Sequence, residues 1–200
     1  MRLGLYGGSF DPIHCGHVTP VLEAVEQLEL ERVVYLPTAQ PPHKPATDFA
    51  PVARRFAMVE LAVIDHDRLQ VSDFEVASGP SYTIDTLEHF ADQQPDAELY
   101  LLIGSDSLAQ IESWCRWRQL FEVARIAVLR RPGWTREQVL AGVSASARVL
   151  ITAAVTWVDN EPLEISATEI RRRLRAGGPV PSDWAPAAVL QYARKYSLYS

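Results

Sequence analysis

Six apolar runs of strand length punctuate this chain, and their continuity constrains the fold more than any other feature. They are "LGLYGG" at the start, "RVVYLP" at 32–37, "LQVSDF" at 69–74, "LYLLIG" at 99–104, "ARIAVLRR" at 124–131 and "RVLITAAVTWV" at 148–158. A strand with one wet face alternates apolar and polar residues, whereas most of these runs are apolar on both faces. Between them lie stretches with helical periodicity: Val18–Leu30, Val52–Ile64, 82–93 and 136–145, with 167–177 and 186–197 closing the chain. Strands buried on both faces and alternating with helices predict an α/β fold. Its sheet is mostly parallel with helices on both faces, in one domain over 1–200. Ligands of such sheets sit beyond the carboxyl ends of the strands, so the loops after strands carry the functional information.

The remaining composition narrows the class. At 200 residues and 48% hydrophobic content, roughly 70% of the unfolded surface can be buried. A formal net charge of −6 argues against a nucleic-acid backbone as partner, while leaving room for a small anion held by a few local cations. Cys15 and Cys115 stand far apart and in no metal-binding spacing, which predicts free thiols in a reducing cytoplasm. The N-terminus lacks the long apolar region of a secretory leader, and no run approaches the ~18 residues of a membrane span. No membrane partner is expected.

The loop after the first strand reads "GGSFDPIHCGH", Gly7 to His17. Its glycines do not make the G-x-G-x-x-G dinucleotide fingerprint, and no P-loop pattern exists anywhere. Glycine at a strand end still lets a ligand approach the backbone, and a helix starting near Gly16 or His17 would present its N-terminal N–H groups to a phosphate. His14 and His17 can both face such a phosphate across one turn. Taken alone they read by default as two unrelated loop histidines, with a metal pair as the alternative, and no Cys, Asp or Glu cluster at zinc spacing accompanies them. Between Pro37 and Pro51 the loop after the second strand carries five prolines, which exclude regular structure and stiffen it.

A second anion-binding pattern, "EISATEIRRRLR", closes the chain. Ser166 and Glu169 have the spacing of a capping box, predicting a helix start at 166. Thr168 and Arg171 fall on one face of the first turns. A hydroxyl and a guanidinium beside a helix N-terminus make a polyphosphate clamp. Arg172, Arg173 and Arg175 read as a solvated basic face.

"GGSFDPIHCGH" followed by "ISATEIR" resembles the nucleotidyltransferases of the HxGH class. Here the H-x-G-H is His14-Cys15-Gly16-His17 and the second motif runs from Ile165 to Arg171. "PPHK" (41–44), "SYTIDT" (81–86), "IGSDS" (103–107), "WCRWRQL" (114–120) and "RRPG" (130–133) narrow the resemblance to bacterial nicotinate mononucleotide adenylyltransferases. It spans essentially the whole chain. It implies a Rossmann-like fold and transfer of the adenylyl group of ATP to nicotinate mononucleotide. The products are deamido-NAD and pyrophosphate, with Mg²⁺ accompanying ATP.

That reaction joins an already anionic phosphate to another phosphate, so it needs alignment and charge stabilisation rather than a general base. The resemblance implies His17 closest to the α-phosphate, with His14 beside it, as the catalytic pair. Thr168 and Arg171 would hold the outer phosphates, Ser166 would add a hydroxyl, and Gly8, Ser9, Phe10, Gly104 and Asp106 would complete the ATP site. Asp106 would meet a ribose hydroxyl or a cation's water shell, with a helix N-cap as the plainer reading. For the mononucleotide, Lys44 would neutralise its phosphate and Trp114 would stack on the pyridine ring. N–H groups at Tyr82 and Thr83 would take the carboxylate.

Trp114 and Trp117 have the spacing of one helical face, and for Trp117 core packing is the expected role. Asp65-His66-Asp67 reads as a polar loop and His89 as solvated. Cys15 fills the variable position of the motif, where no thiol chemistry is required. Two alternatives stay open at this point: preference for the amide mononucleotide, or a non-catalytic nucleotide sensor of the same fold.

Overall fold

The structure is a computed structural model that describes residues 1–39, 49–78 and 82–199. Its strands are β1 (Arg2–Gly8), β2 (Arg32–Pro37), β3 (Leu69–Val71), β4 (Glu98–Gly104), β5 (Arg125–Leu129) and β6 (Val155–Trp157). They form one sheet in the order β3-β2-β1-β4-β5-β6. β1 runs parallel to β4, β4 to β5 and β5 to β6, in registers such as Gly4↔Tyr100 and Leu102↔Ala127. The expected α/β class with a parallel, helix-flanked sheet is what the chain adopts.

The chain separates into two compact units. One comprises Met1–Gly7, Pro20–Val34 and Ser81–Pro162; the other comprises Gly8–Thr19, Tyr35–Pro80 and Leu163–Ser200. The first unit is built on β1, β4, β5 and β6. Residues 99–104 of β4 and 126–129 of β5 are all buried, as continuous apolar runs require. Gly4 has no room for a side chain: a Cβ there would lie 2.8 Å from Val33 Cγ2 and 2.9 Å from Leu102 Cδ1, on the two strands that flank β1. Helix α4 (Thr83–Gln93) lays Ile84, Leu87 and Phe90 into this core.

In the second unit, α2 (Val52–Val63) buries Met58, Val59, Ala62 and Val63, and α10 (Ala187–Lys195) buries Val189, Leu190 and Ala193. Arg54 of α2 bonds the Tyr192 hydroxyl at 3.0 Å and lies 4.0 Å over the Tyr196 ring. Helix α9 (Ala167–Arg175) places Ile170 in a cluster with Val180, Ala185 and Leu190.

Three local expectations need correction. The run 148–158 is not one strand: α8 occupies Ala145–Ala154 and only Val155–Trp157 is β6. The Ser144 side chain accepts from the Ala147 N–H and starts this helix, and Ala147 and Ile151 bury one face. Apolar letters alone do not separate the two periods. Ser166 is the N-cap of α9, but its side chain makes no cap hydrogen bond. Glu169 instead pairs with Arg172 at 2.6 Å and Arg173 at 2.9 Å, which holds its carboxyl down at about 2. A capping box is present instead at Thr135 and Gln138, opening α7 (Arg136–Gly142). Finally, Trp114 and Trp117 do not share a helix. Arg116 is left-handed (φ 50, ψ 37) and begins α6 (Trp117–Val123) after Trp114.

Gly4→Ala should lower stability by about 1–3 kcal/mol, because the added methyl overpacks a stiff Val33 branch. Thermal unfolding of the purified variant tests this, and an unchanged midpoint would contradict the close packing of β1.

Candidate active site

The opening loop follows β1 and leads into α1 (Cys15–Gln27), and its residues, within the Gly8–Thr19 stretch of the second unit, are held one by one. Phe10 has a positive φ of 46 and is buried, so a costly backbone shape is stabilised by its surroundings. Its ring meets the His17 ring edge-on at 5.4 Å and the Tyr35 ring at 5.6 Å. A Cβ on Gly8 would lie 2.9 Å from this ring, so the residue before the loop must be small. The rings of His14 and His17 lie 3.8 Å apart at 33°. The His17 N–H donates to the His14 carbonyl at 2.7 Å, and the Tyr35 hydroxyl donates to the His17 carbonyl at 3.0 Å. The two imidazoles thus form one unit at the first turn of α1, as the spacing H-x-G-H implies.

Arg55 of α2 organises this loop from beneath. It is 1% exposed, and burial lowers its tendency to hold its proton while nearby Asp11 opposes that. Its guanidinium donates to Ala50 O at 3.0 Å, Ser9 O at 2.6 Å, Thr38 O at 2.7 Å and Ala39 O at 3.0 Å. A planar fork with fixed donors suits four carbonyls in a way an ammonium does not. The role found for Ser9 is therefore its carbonyl on Arg55.

Arg171, on α9, reaches the same loop. Its Nη1 donates to the Asp11 carbonyl at 2.7 Å and its Nη2 to Thr168 Oγ1 at 3.3 Å. Thr168 and Arg171 are thus neighbours on α9, as their spacing requires, and they are fastened to the segment that carries the histidine pair. Ser166 stands at the start of that helix. Asp11 is buried at 2% exposure. Its Oδ1 accepts from the Ala50 N–H at 3.2 Å and from the Tyr199 hydroxyl at 2.7 Å.

The first unit carries the other expected residues. Gly104 ends β4, and Asp106 follows in the first turn of α5 (Ser105–Leu108). The N-cap is Gly104, not Asp106, and Asp106 is exposed with its carboxylate over Gly104, in the space a Cβ would need. The Arg131 side chain crowds the same space, 3.1 Å from that Cβ, and bonds the Tyr6 hydroxyl at 2.9 Å. Tyr82 is the exposed N-cap of α4 and Thr83 its first residue. Arg116 joins this helix to the Trp114 loop, bonding Asp85 at 2.5 Å and Glu88 at 2.8 and 2.9 Å. Lys44 lies outside the described residues.

A cavity of about 540 Å³ in this unit is lined by Arg130 to Gln138 with Trp157 and Pro162. Among its residues only the "RRPG" stretch stood out in the sequence. Trp157 and Arg136, whose guanidinium lies 5.9 Å from the indole ring, carried no pattern that would have marked them.

A cytidylyltransferase-like family model matches residues 5–173. The chain is 41% identical over 201 residues to a Solibacter usitatus protein described as "Probable nicotinate-nucleotide adenylyltransferase", covering 100% of both. The chain belongs to this family. A relative with the same description in Shewanella putrefaciens is 37% identical over 215 residues, covering 100% of this chain and 99% of its own. The fold matches that of Plasmodium falciparum nicotinic acid mononucleotide adenylyltransferase complexed with NaAD. The TM-score is 0.79 at 21% identity, covering 99% of this chain and 97% of that one.

Cys15, inside H-x-G-H, is half-buried and free. Burial, then Asp183, pushes its thiol up, so little thiolate is present at neutral pH. Cys115 is exposed. Iodoacetamide at pH 7.5 should therefore label Cys115 well before Cys15, as peptide mass mapping over time would show; preferential labelling of Cys15 would contradict this. Arg55→Met should destabilise by about 3 kcal/mol or more, because buried carbonyls lose their donor. Urea unfolding measures it.

Proposed function

We propose that this chain transfers the adenylyl group of ATP to nicotinate mononucleotide, forming deamido-NAD and pyrophosphate in NAD biosynthesis. The observation that carries this reading is the fastening of Arg171 to the loop bearing His14 and His17, which groups cationic and hydrogen-bonding side chains about one place. The mononucleotide's phosphate oxygen attacks the α-phosphorus, one P–O bond forms, and the bond to the bridging oxygen breaks. The electron pair leaves with pyrophosphate. The attacking oxygen is already deprotonated at neutral pH, so no residue has to remove a proton from it.

His17, and His14 beside it, donate hydrogen bonds to the triphosphate where negative charge builds. Thr168 and Arg171 hold the outer phosphates, with Ser166 at the helix start. Gly8 keeps the loop's first turn clear, while Ser9 and Phe10 shape it: Phe10 props the His17 ring. Gly104 and Asp106 contribute to the nucleoside side. Trp114 stacks on the pyridine, Tyr82 and Thr83 present the N-terminal N–H groups of α4 to the carboxylate, and Lys44 meets the mononucleotide phosphate.

Among the described residues no group of three or more His, Cys, Asp or Glu could hold a metal by itself. Mg²⁺ binds characteristically through substrate phosphates with one or two carboxylates, so the residues fit an ion that would arrive on ATP, for which Asp106 would be the available carboxylate. When bound it neutralises phosphate charge. We read the chain as one nucleotidyltransferase domain working in the cytoplasm; no helix among the described residues is long and apolar enough to cross a membrane.

With ATP and Mg²⁺, pyrophosphate release should be fast with nicotinate mononucleotide and slower with nicotinamide mononucleotide. No release with either would end the enzyme reading, and equal rates would end the carboxylate assignment. His17→Ala should lower kcat about a hundredfold or more, the scale of losing one preorganised donor. Near-normal turnover would remove His17 from the chemistry.

A further inference from the structure

Asp11 is a buried carboxylate held just short of its natural partner. Its Oδ2 makes no hydrogen bond among the described residues, although Arg171 Nη1 lies only 3.8 Å away. An Arg–carboxylate pair left to itself closes to bidentate contact. What holds this one open is on the other oxygen: Oδ1 is pinned by the Ala50 N–H and by the Tyr199 hydroxyl at 2.7 Å. The hydroxyl is a committed donor, since burial and the Asp11 carboxylate hold the phenol well above its usual range. Arg171 consequently bonds the Asp11 carbonyl and Thr168 and keeps its other N–H groups for a ligand.

We infer that Asp11 and Tyr199 are positioning residues for the triphosphate: Tyr199 restrains the Asp11 carboxylate so that it orients Arg171 without capturing it. The inference rests on the reading of Arg171 as a phosphate ligand. Without the hydroxyl, the Asp11 side chain turns on its remaining bond, Oδ2 closes on Arg171, and the guanidinium is drawn away from the outer phosphates. Neither residue touches substrate, and the effect is confined to the ATP side.

The test compares Tyr199→Phe, Arg171→Ala and the double variant in the full chain, measuring KM for ATP, KM for nicotinate mononucleotide, kcat and the thermal midpoint. Tyr199→Phe should raise KM for ATP about fivefold, the equivalent of one hydrogen bond. It should leave KM for the mononucleotide within about twofold, since Arg171 is assigned to the outer phosphates of ATP and not to the mononucleotide. In the Arg171→Ala background the same change should add nothing. Asp11→Asn should weaken ATP binding similarly, and if it does not fold, Tyr199→Phe still decides. An unchanged KM for ATP in Tyr199→Phe, equal shifts in both KM values, or an effect that persists without Arg171 would overturn the proposal while Arg171→Ala still weakens ATP. If Arg171→Ala itself leaves ATP binding and turnover intact, the phosphate reading of Arg171 fails first and the proposal with it.

Discussion

The guanidinium of Arg55 is the constraint on which the opening loop depends. Backbone carbonyls in an irregular buried segment must find donors, because each left unmade costs about as much as several surface contacts contribute. Here one side chain supplies four carbonyls drawn from three stretches: Ser9, Thr38 with Ala39, and Ala50. The arrangement lets a loop with little secondary structure hold a fixed shape. The left-handed Phe10 and the paired imidazoles are placed on that shape. A helix provides the donor, and the fixed shape of the loop comes from a side chain that is itself buried.

The two units tie their arginines into the fold by different means. Asp11 is buried and Arg171 and Tyr199 half-buried, and their geometry is limited by one another. Around Arg116 the partners Asp85 and Glu88 are exposed, so the bonds add little stability and serve chiefly to relate the Trp114 loop to the start of α4. Burial makes the first network stiff and sensitive to single atoms. Exposure makes the second tolerant.

The parts legible in the sequence were those whose signal is local. β2 lies over the residues its apolar run marks, and the histidine pair follows from a four-residue pattern. Thr168 and Arg171 are neighbours because helical spacing makes them so. The errors also have physical sources. Run 148–158 contains β-branched and small apolar residues that suit either period, and the Ser144 cap decided between them. Trp114 and Trp117 were separated by one left-handed residue, a conformation that no letter at Arg116 announces. Arg55 and Tyr199 were not picked out, because their roles depend on partners distant in the chain, and a buried arginine or a near-terminal tyrosine carries no pattern of its own.

The span between Asp11 and its partners sets an order in time. Arg171 follows it by 160 residues and Tyr199 by 188. At ribosomal rates of about 5–20 residues per second, Asp11 waits roughly ten to forty seconds before Tyr199 is made. The histidine pair is synthesised near the beginning, yet the contacts that fix Asp11 beside it cannot form until the chain is nearly finished. An incomplete chain on the ribosome would carry the first motif without the residues that hold Asp11 in place.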